Sequence, residues 1–287
     1  MHDASDRLSS DQLNDRIEAL ATIGGAGEFA TDDLATFERF RRALATGQVR
    51  AAEPEASGAW RVNAWVKRGI LLGFRMGRLV DQSAGGLAWF DKNTYPLRPT
   101  QLTENVRIVP GGSSIRDGAY VAPGVVIMPP AYVNVGAYVD EQTMIDSHVL
   151  VGSCAQIGKR VHLSAAVQVG GVLEPASALP VVIEDDCFIG GGCGIYEGAI
   201  VRRRAVLAAG VILTGSTAIY DLVRGEIYRR SGDRALEVPE GAVVVPGNRR
   251  VESDNARRWG ISLYAPVIVK YRDEKTDAAT TLEQALR

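Results

Sequence analysis

The 287-residue sequence has few of the residues that define several common classes of protein. It contains three cysteines and no Cys-X-X-Cys pair, which argues against a disulfide framework and is typical of the reducing cytoplasm. Of its three histidines, His148 and His162 are 14 positions apart, so they share neither one turn nor one stack of a repeat. The sequence therefore offers no zinc-ligand spacing, and we expect no metal site.

Charge and hydropathy argue against two kinds of partner. The net charge is -2, so the sequence has no excess of basic residues that would indicate nucleic-acid binding. No apolar run reaches the roughly 18 residues of a transmembrane helix, and we expect no membrane association. The segment 1–7 lacks the charged and apolar regions of a signal peptide, so we expect a cytoplasmic protein. With 46% hydrophobic residues the chain can build a core, which excludes extensive disorder.

Short motifs of two enzyme classes are also missing. Gly170-Gly171 and Gly190–Gly192 are not followed by the Lys-Ser/Thr of a phosphate-binding loop, and we interpret both as turns. There is no Gly-X-Ser-X-Gly sequence, so serine hydrolase chemistry has no support. The run Arg202–Arg204 is interpreted as a solvated corner rather than a phosphate clamp.

A six-residue repeat fills the middle of the chain. Aliphatic residues recur at every sixth position, the phase breaks at 170–182, and the repeat then resumes. The first series is Val109, Ile115, Val121, Ile127, Val133, Val139, Ile145, Val151, Ile157, Leu163 and Val169. The second is Ile183, Ile189, Ile195, Val201, Leu207, Leu213 and Ile219. A period of six fits neither an α-helix nor an alternating strand.

This period predicts a mainly β fold, a parallel β-helix in which three hexads make one triangular coil. Each aliphatic residue then points inward and stacks on the residue 18 positions away, so Ile115 lies on Val133 and Val121 lies on Val139. The phase break predicts a loop at 170–182 that leaves the stack. We expect this loop to project outward, reach over a neighbouring subunit and wall the active site.

The flanking sequences divide the chain into three parts. Residues 1–104 are predicted to form a helix-rich α/β domain. Its helices begin near a capping box at Ser9–Gln12 and at Thr31, and a third covers about 64–74. The predicted apolar face of the second helix comprises Leu34, Phe37, Phe40 and Leu44. Residues 105–222 form the β-helix. Residues 223–287 are predicted to be strands closing its open end, followed by a short helix at 281–286.

Longer strings in the sequence resemble the tetrahydrodipicolinate N-succinyltransferase family, whose members are left-handed β-helix (hexapeptide-repeat) acyltransferases. The resemblance covers most of the chain from about residue 60 onward. It rests on Ala64–Arg68, Leu71–Arg75, Tyr132–Asp146, Val151–Lys159, Gly170–Pro175, Ile183–Gly190, Ser216–Asp221 and Ser262–Tyr264.

The resemblance implies transfer of a succinyl group from succinyl-CoA to the amine of ring-opened tetrahydrodipicolinate. It also implies a homotrimer with active sites between subunits, and no permanently bound cofactor. By motif position, Arg107 binds a substrate carboxylate and Asp146 lies at the substrate amine; Glu197 is a second candidate base. From spacing alone, all three would be ordinary surface or turn residues. CoA contacts are assigned to Gly215, Ser216, Asn248 and Lys270.

One stretch departs from the family pattern. Many members have an arginine and a second glutamate where this chain has Gly192 and Gly194. A wider, uncharged wall is therefore expected, which leaves alternatives open: an acetyl-CoA-dependent enzyme, or a paralogue that acylates another amino-dicarboxylate. A third alternative, from a different class, is a non-catalytic trimeric scaffold. The enzyme hypotheses require Arg107 and Asp146 to converge on one cleft, whereas the scaffold does not.

Overall fold

The computed structural model describes residues 9–23, 29–232 and 234–273, and it contains a triangular, left-handed parallel β-helix. The predicted helix at 281–286 lies outside the described residues. The helices are α1 (Ser10–Ala21), α2 (Thr31–Ala45), α3 (Ala64–Met76) and α4 (Asp254–Trp259), and a short 3-10 turn covers Leu102–Glu104.

The strands are mostly two residues long, which is the length that one hexad allows. In chain order they are β1 (Ala52–Pro54), β2 (Trp60–Val62), β3 (Leu79–Asp81), β4 (Phe90–Lys92), β5 (Arg107–Ile108), β6 (Ser114–Ile115), β7 (Tyr120–Val121), β8 (Val126–Ile127), β9 (Tyr132–Val133), β10 (Tyr138–Val139), β11 (Met144–Ile145), β12 (Leu150–Val151), β13 (Gln156–Ile157), β14 (His162–Leu163), β15 (Gln168–Val169), β16 (Val182–Ile183), β17 (Phe188–Ile189), β18 (Gly194–Ile195), β19 (Ile200–Val201), β20 (Val206–Leu207), β21 (Ile212–Leu213), β22 (Ala218–Asp221), β23 (Glu226–Arg229), β24 (Glu237–Val238), β25 (Ala242–Arg250) and β26 (Ser262–Tyr271).

The three faces of the β-helix are three sheets. Face A contains β7, β10, β13, β16, β19 and β24. Face B contains β5, β8, β11, β14, β17 and β20, and is extended by β25, β26, β22 and β23. Face C contains β6, β9, β12, β15, β18 and β21.

The predicted 18-residue stacking is confirmed through the regular coils. Ile115 pairs with Val133, which pairs with Val151, and Val121 pairs with Val139. These side chains lie in one continuous hydrophobic core, and each coil supplies backbone hydrogen bonds to the next. Ile157 pairs with Ile183, so the coil that contains the loop is eight residues longer than the regular 18.

The first and last hexads do not follow the predicted phase. Ile108 rather than Val109 is registered with Ile127, because the turn that follows has one extra residue and contains Gly111 and Gly112, both at positive φ. At the other end, Val201 pairs with Val238 and not with Ile219.

The reason for the second shift is a hairpin that leaves the coil. β22 and β23 pair antiparallel, and Ile219 of β22 is buried in the core opposite Tyr228 of β23. β24 and the first residues of β25 then continue the helix beyond residue 222, where the periodicity ends. The division of the chain into three domains stays a prediction.

The predicted helices α1 and α3 are confirmed, and Ser9 caps α1 in a capping box with Gln12. The prediction that Thr31 caps α2 is wrong: the helix begins at Thr31, and the Asp33 carboxylate accepts a hydrogen bond from the Ala30 N–H at 2.9 Å. Leu34 is 41% exposed because it lies at the edge of the apolar stripe, whose other members are buried.

The N-terminal domain covers face A of its own chain. The Arg50 guanidinium lies over the ring of Tyr138 at 3.6 Å and donates to the buried Gln156 amide oxygen at 2.9 Å. The Trp60 indole donates to Glu184 at 3.0 Å. Burial lowers the pKa of Arg50, against the opposing effect of nearby acidic groups. The N-terminal domain also contacts the first coils of face C, where Asp91 forms an ion pair with Arg116 and Leu97 pairs with Arg116.

Candidate active site

Arg107 and Asp146 lie on the outer side of the same face. Arg107 pairs with Val126 on face B, and Val126 pairs with Met144, which stands two residues before Asp146. Ile145 is buried in the core, and Ile108, 38% exposed at the open end of the stack, is in register with the core residue Ile127. By the alternation of side chains along a strand, Arg107 and Asp146 therefore face outward. Two strand spacings of about 4.8 Å separate them along the helix axis. One small dicarboxylate could contact both.

Asp146 is fixed by backbone contacts and keeps a carboxylate oxygen for a ligand. Its Oδ1 accepts a hydrogen bond from the Ser147 N–H at 2.7 Å, and its own N–H donates to the Leu163 carbonyl at 2.9 Å. Within the described residues it forms no ion pair, and neither does Arg107, which is exposed. The charges at this position are therefore available to a substrate.

Glu197 lies at a different corner, after β18 on face C. Glu197 and Gly198 are successive residues in the left-handed region, with φ of 54° and 72°. The Glu197 carboxylate accepts a hydrogen bond from the Gly215 N–H in the next coil. Within one chain, Glu197 is thus held on another face than Asp146, and the structure does not bring these two candidate bases together.

Glu197 lines a cleft with a volume of about 960 Å3. One wall is the loop at 170–179, and the opposite side is formed by the coil corners around Tyr196 and Thr214. Trp60 of the N-terminal domain and Arg230 complete it. The volume is in the range of sites for cofactor-sized ligands.

The loop at 170–182 leaves the stack as predicted, but it packs against the N-terminal domain of its own chain. The fully buried Lys67 of α3 donates through Nζ to the Ala178 carbonyl. Burial lowers the pKa of Lys67. Leu173 packs against the helical core. The loop is thereby a fixed wall of the cleft, and its contact with a neighbouring subunit stays a prediction.

Three of the four residues assigned to CoA lie towards one end of the β-helix. Gly215 and Ser216 follow β21, and Ser216 Oγ is 3.2 Å from Thr214 Oγ1. Asn248 pairs across strands with Tyr264, whose hydroxyl accepts a hydrogen bond from the Ile212 N–H at 2.7 Å.

Lys270 is separated from this group. It pairs with Val243 at the opposite end of the β25–β26 ribbon and forms an ion pair with Asp273 at 3.2 Å. Within one chain, the antiparallel register places Lys270 five residues along β25 from Asn248, and the assignment of Lys270 to CoA stays a prediction.

Comparison with known proteins gives matches along the chain. Residues 12–76 match the N-terminal domain model of tetrahydrodipicolinate N-succinyltransferase, and residues 180–215 match the hexapeptide repeat of succinyl-transferase. The 2,3,4,5-tetrahydropyridine-2,6-dicarboxylate N-succinyltransferase of Afipia carboxidovorans is 46% identical over 85% of this chain and 86% of its own. The Rhodopseudomonas palustris enzyme of that name is 44% identical over 96% of each chain. The chain belongs to the tetrahydropyridine-dicarboxylate N-succinyltransferase family.

The departure from the family pattern has a structural counterpart that sequence reasoning missed. At Gly192 the space is open, with no atom within 4 Å of the position that a Cβ would take. At Gly194 it is not, because the ring of Tyr196 covers the glycine. The expectation of a wider wall is therefore wrong at Gly194. Spacing gave no signal for Tyr196, Arg230 or Lys67, because each is placed by contacts between distant parts of the chain.

Among the residues that the structure describes, no group of three or more His, Cys, Asp or Glu side chains is arranged to hold a metal ion. No helix in those ranges has both the length and the apolar character needed to cross a membrane. The three cysteines, Cys154, Cys187 and Cys193, are free and buried, and burial raises the pKa of the Cys154 thiol to about 12.

Proposed function

We propose that this protein transfers the succinyl group of succinyl-CoA to the amine of ring-opened tetrahydrodipicolinate, in the synthesis of diaminopimelate and lysine. The observation that carries the proposal is the family match, at 46% identity over 85% of the chain. The outward position of Arg107 and Asp146 on face B supports it, since the substrate has carboxylates and an amine.

Each charged residue has a chemical role in this reaction. Arg107 binds a substrate carboxylate through its planar guanidinium. Asp146 accepts a proton from the amine as the nitrogen attacks the thioester carbonyl. The new C–N bond forms and the C–S bond breaks. The CoA thiolate then takes up the proton released from the amine through Asp146 and leaves as the thiol, which restores the carboxylate. No covalent enzyme intermediate is needed, because a correctly oriented amine is a competent nucleophile.

The active site is proposed to lie between subunits of a homotrimer. Face A and the first coils of face C are contacted by the chain's own N-terminal domain, which leaves face B and the later coils of face C for neighbours. Their outer sides include half-buried apolar residues, such as Met144 and Phe188 on face B and Leu150 on face C. A heterologous contact of face B with face C of the next subunit closes a ring.

This contact would bring the carboxylates of Asp146 and Glu197 into one active site. Asp146 follows a strand of face B and Glu197 follows a strand of face C, so each site would take Asp146 from one subunit and Glu197 from the next. We assign CoA to the region of Gly215, Ser216 and Asn248 as a co-substrate, with no permanent cofactor. We place the enzyme in the cytoplasm, in accord with its three free cysteines.

A second candidate function differs in substrate only. The uncharged Gly192, with open space beside it, would suit a paralogue that acylates another amino-dicarboxylate. Its reaction and residue roles would be those given above, and a panel of amino-dicarboxylates separates the two candidates.

The experiment is a free-thiol assay on the purified full-length protein. Tetrahydrodipicolinate is supplied with succinyl-CoA or acetyl-CoA, and the product is identified by mass. We expect thiol release that needs both substrates and an N-succinyl product. Light scattering should give about three times 30.8 kDa. No release with either donor, or a monomer at micromolar concentration, would overturn the proposal.

A further inference from the structure

Arg230 is the one basic residue that lines the 960 Å3 cleft, within the described part of the chain. Its Nη1 lies 3.5 Å from the position that a Cβ on Gly215 would take. It forms no ion pair with a residue that the structure describes, whereas Arg202, on a neighbouring coil corner, is paired with both Glu184 and Glu237. The Arg230 guanidinium therefore retains its donors for a ligand.

The surroundings of Arg230 suit the acyl end of a thioester. The cleft combines apolar surface from Val172 and Leu179 with the hydroxyls of Thr214 and Tyr196. Two acids also line the cleft: Glu197, whose carboxylate is engaged by the Gly215 N–H, and Glu174 of the loop. Such a mixture accommodates a short methylene chain that ends in a charged group.

We propose that Arg230 binds the free carboxylate of a dicarboxylic acyl donor and so selects succinyl-CoA over acetyl-CoA. This inference rests on the proposed function, since it places the donor's acyl group next to Gly215, where we assign CoA. A guanidinium binds a carboxylate through two charge-assisted hydrogen bonds. Acetyl-CoA has no carboxylate to accept them, so its use does not depend on Arg230.

The test compares Arg230→Ala, Arg230→Lys and the control Arg229→Ala in the full-length protein. Arg229 is the adjacent arginine, at the end of β23, and it does not line the cleft. For each variant, kcat/KM is measured with succinyl-CoA and with acetyl-CoA, and donor binding without amine is measured by calorimetry. Circular dichroism and light scattering confirm that each variant is folded and assembled like the parent.

We expect Arg230→Ala to lower kcat/KM for succinyl-CoA by roughly 10- to 100-fold. The kcat/KM for acetyl-CoA should stay within about twofold of the parent value, because only a donor with a carboxylate loses hydrogen bonds when the guanidinium is removed. Arg230→Lys should recover part of the loss, and Arg229→Ala should match the parent. An unchanged ratio between the donors would overturn the inference. A raised KM for the amine alone would also overturn it, because Arg230 would then serve the acceptor.

The two proposals fail in distinguishable ways. If the parent releases thiol from neither donor, the proposed function fails, and the calorimetric comparison of succinyl-CoA with acetyl-CoA still tests Arg230. If the parent is an active succinyltransferase and Arg230→Ala keeps its donor preference, only the inference fails.

Discussion

The ring of Tyr196 lies directly over Gly194. A Cβ on residue 194 would be 2.5 Å from Cε2 of Tyr196 and 2.9 Å from its hydroxyl oxygen. The same ring lies over Gly170 in the adjacent coil, where a Cβ would be 2.8 Å from Cδ1. The ring of Tyr196 thus packs against two glycines, Gly170 and Gly194. The side chain of Tyr196 therefore fills the space that a longer side chain at position 194 would need.

The first prediction concerns this pair. Gly194→Glu should destabilise the protein by about 1–3 kcal/mol, because the new side chain is forced against an ordered ring. In the Tyr196→Val background the same change should cost clearly less. The measurement is the midpoint of thermal unfolding for the two single variants and the double variant.

Gly192→Ala is the matched control. It adds a Cβ where no atom lies within 4 Å, but at a φ of +67°, so it reports left-handed strain without a clash. Equal effects of Gly194→Glu with and without Tyr196 would contradict the steric coupling of the two positions.

The second prediction separates Asp146 from Arg107. Asp146→Asn keeps the shape and removes the base, so kcat should fall by roughly 10²–10⁴. Arg107→Ala removes a contact present in both ground and transition states, so it should mainly raise KM for the amine substrate. Steady-state kinetics with each substrate varied in turn give both parameters.

Asp140→Asn is the control for Asp146. The Asp140 carboxylate accepts a hydrogen bond from the next residue's N–H at 2.8 Å, as Asp146 does, but Asp140 follows a strand of face A. It should leave kcat near the parent value. If Asp146→Asn turns over at the parent rate while Glu197→Gln is inactive, the assignment of the base to Asp146 is wrong.

The third prediction concerns the buried amine of Lys67. Lys67→Met removes the hydrogen bond to the Ala178 carbonyl and should release the loop at 170–179. Hydrogen exchange of backbone amides in that loop should become faster. Lys92→Met is the control, because Lys92 donates to the Gly77 carbonyl at 2.9 Å, away from the loop. Unchanged exchange in Lys67→Met would show that the loop is held by other contacts.

Lys67 also makes the free energy of unfolding depend on pH. Its folded-state pKa lies below the ordinary value of 10.5, so over the interval between the two the unfolded chain binds the extra proton. Stability of the parent relative to Lys67→Met should therefore rise with pH as it approaches 10.5. Denaturant unfolding of both proteins at several alkaline pH values measures this difference. A difference that falls with rising pH would contradict the direction of the shift.

Much of the fold follows from the sequence, because stacked hexads impose their period on the chain directly. The ladder from Ile115 to Val169 needs only identical short coils, so a count of six finds it. The six-residue period predicts the wrong register at both ends of the β-helix, where the coils meet a glycine turn and a hairpin. Ile108 replaces Val109 beside a glycine turn, and Ile219 enters a hairpin while Val238 takes the next place in the ladder.

The candidate site was less accessible to sequence reasoning. Arg107 and Asp146 were found through family motifs, since their spacing is that of any outward residue on a coil. Arg230 reaches the cleft from a hairpin outside the repeat, and Lys67 reaches the loop from a helix 111 positions before Ala178. Such contacts are made by tertiary packing and leave no periodic signal in the sequence.

The central claim is that one active site takes Asp146 from one subunit and Glu197 from the next. It is tested most directly by co-expressing Asp146→Asn and Glu197→Gln chains with different tags and assaying the purified mixed trimers. Each variant alone should be nearly inactive. If the site is shared, every mixed trimer has one intact site of three and should recover roughly a third of the parent activity. Mixed trimers no more active than the single variants would contradict the account.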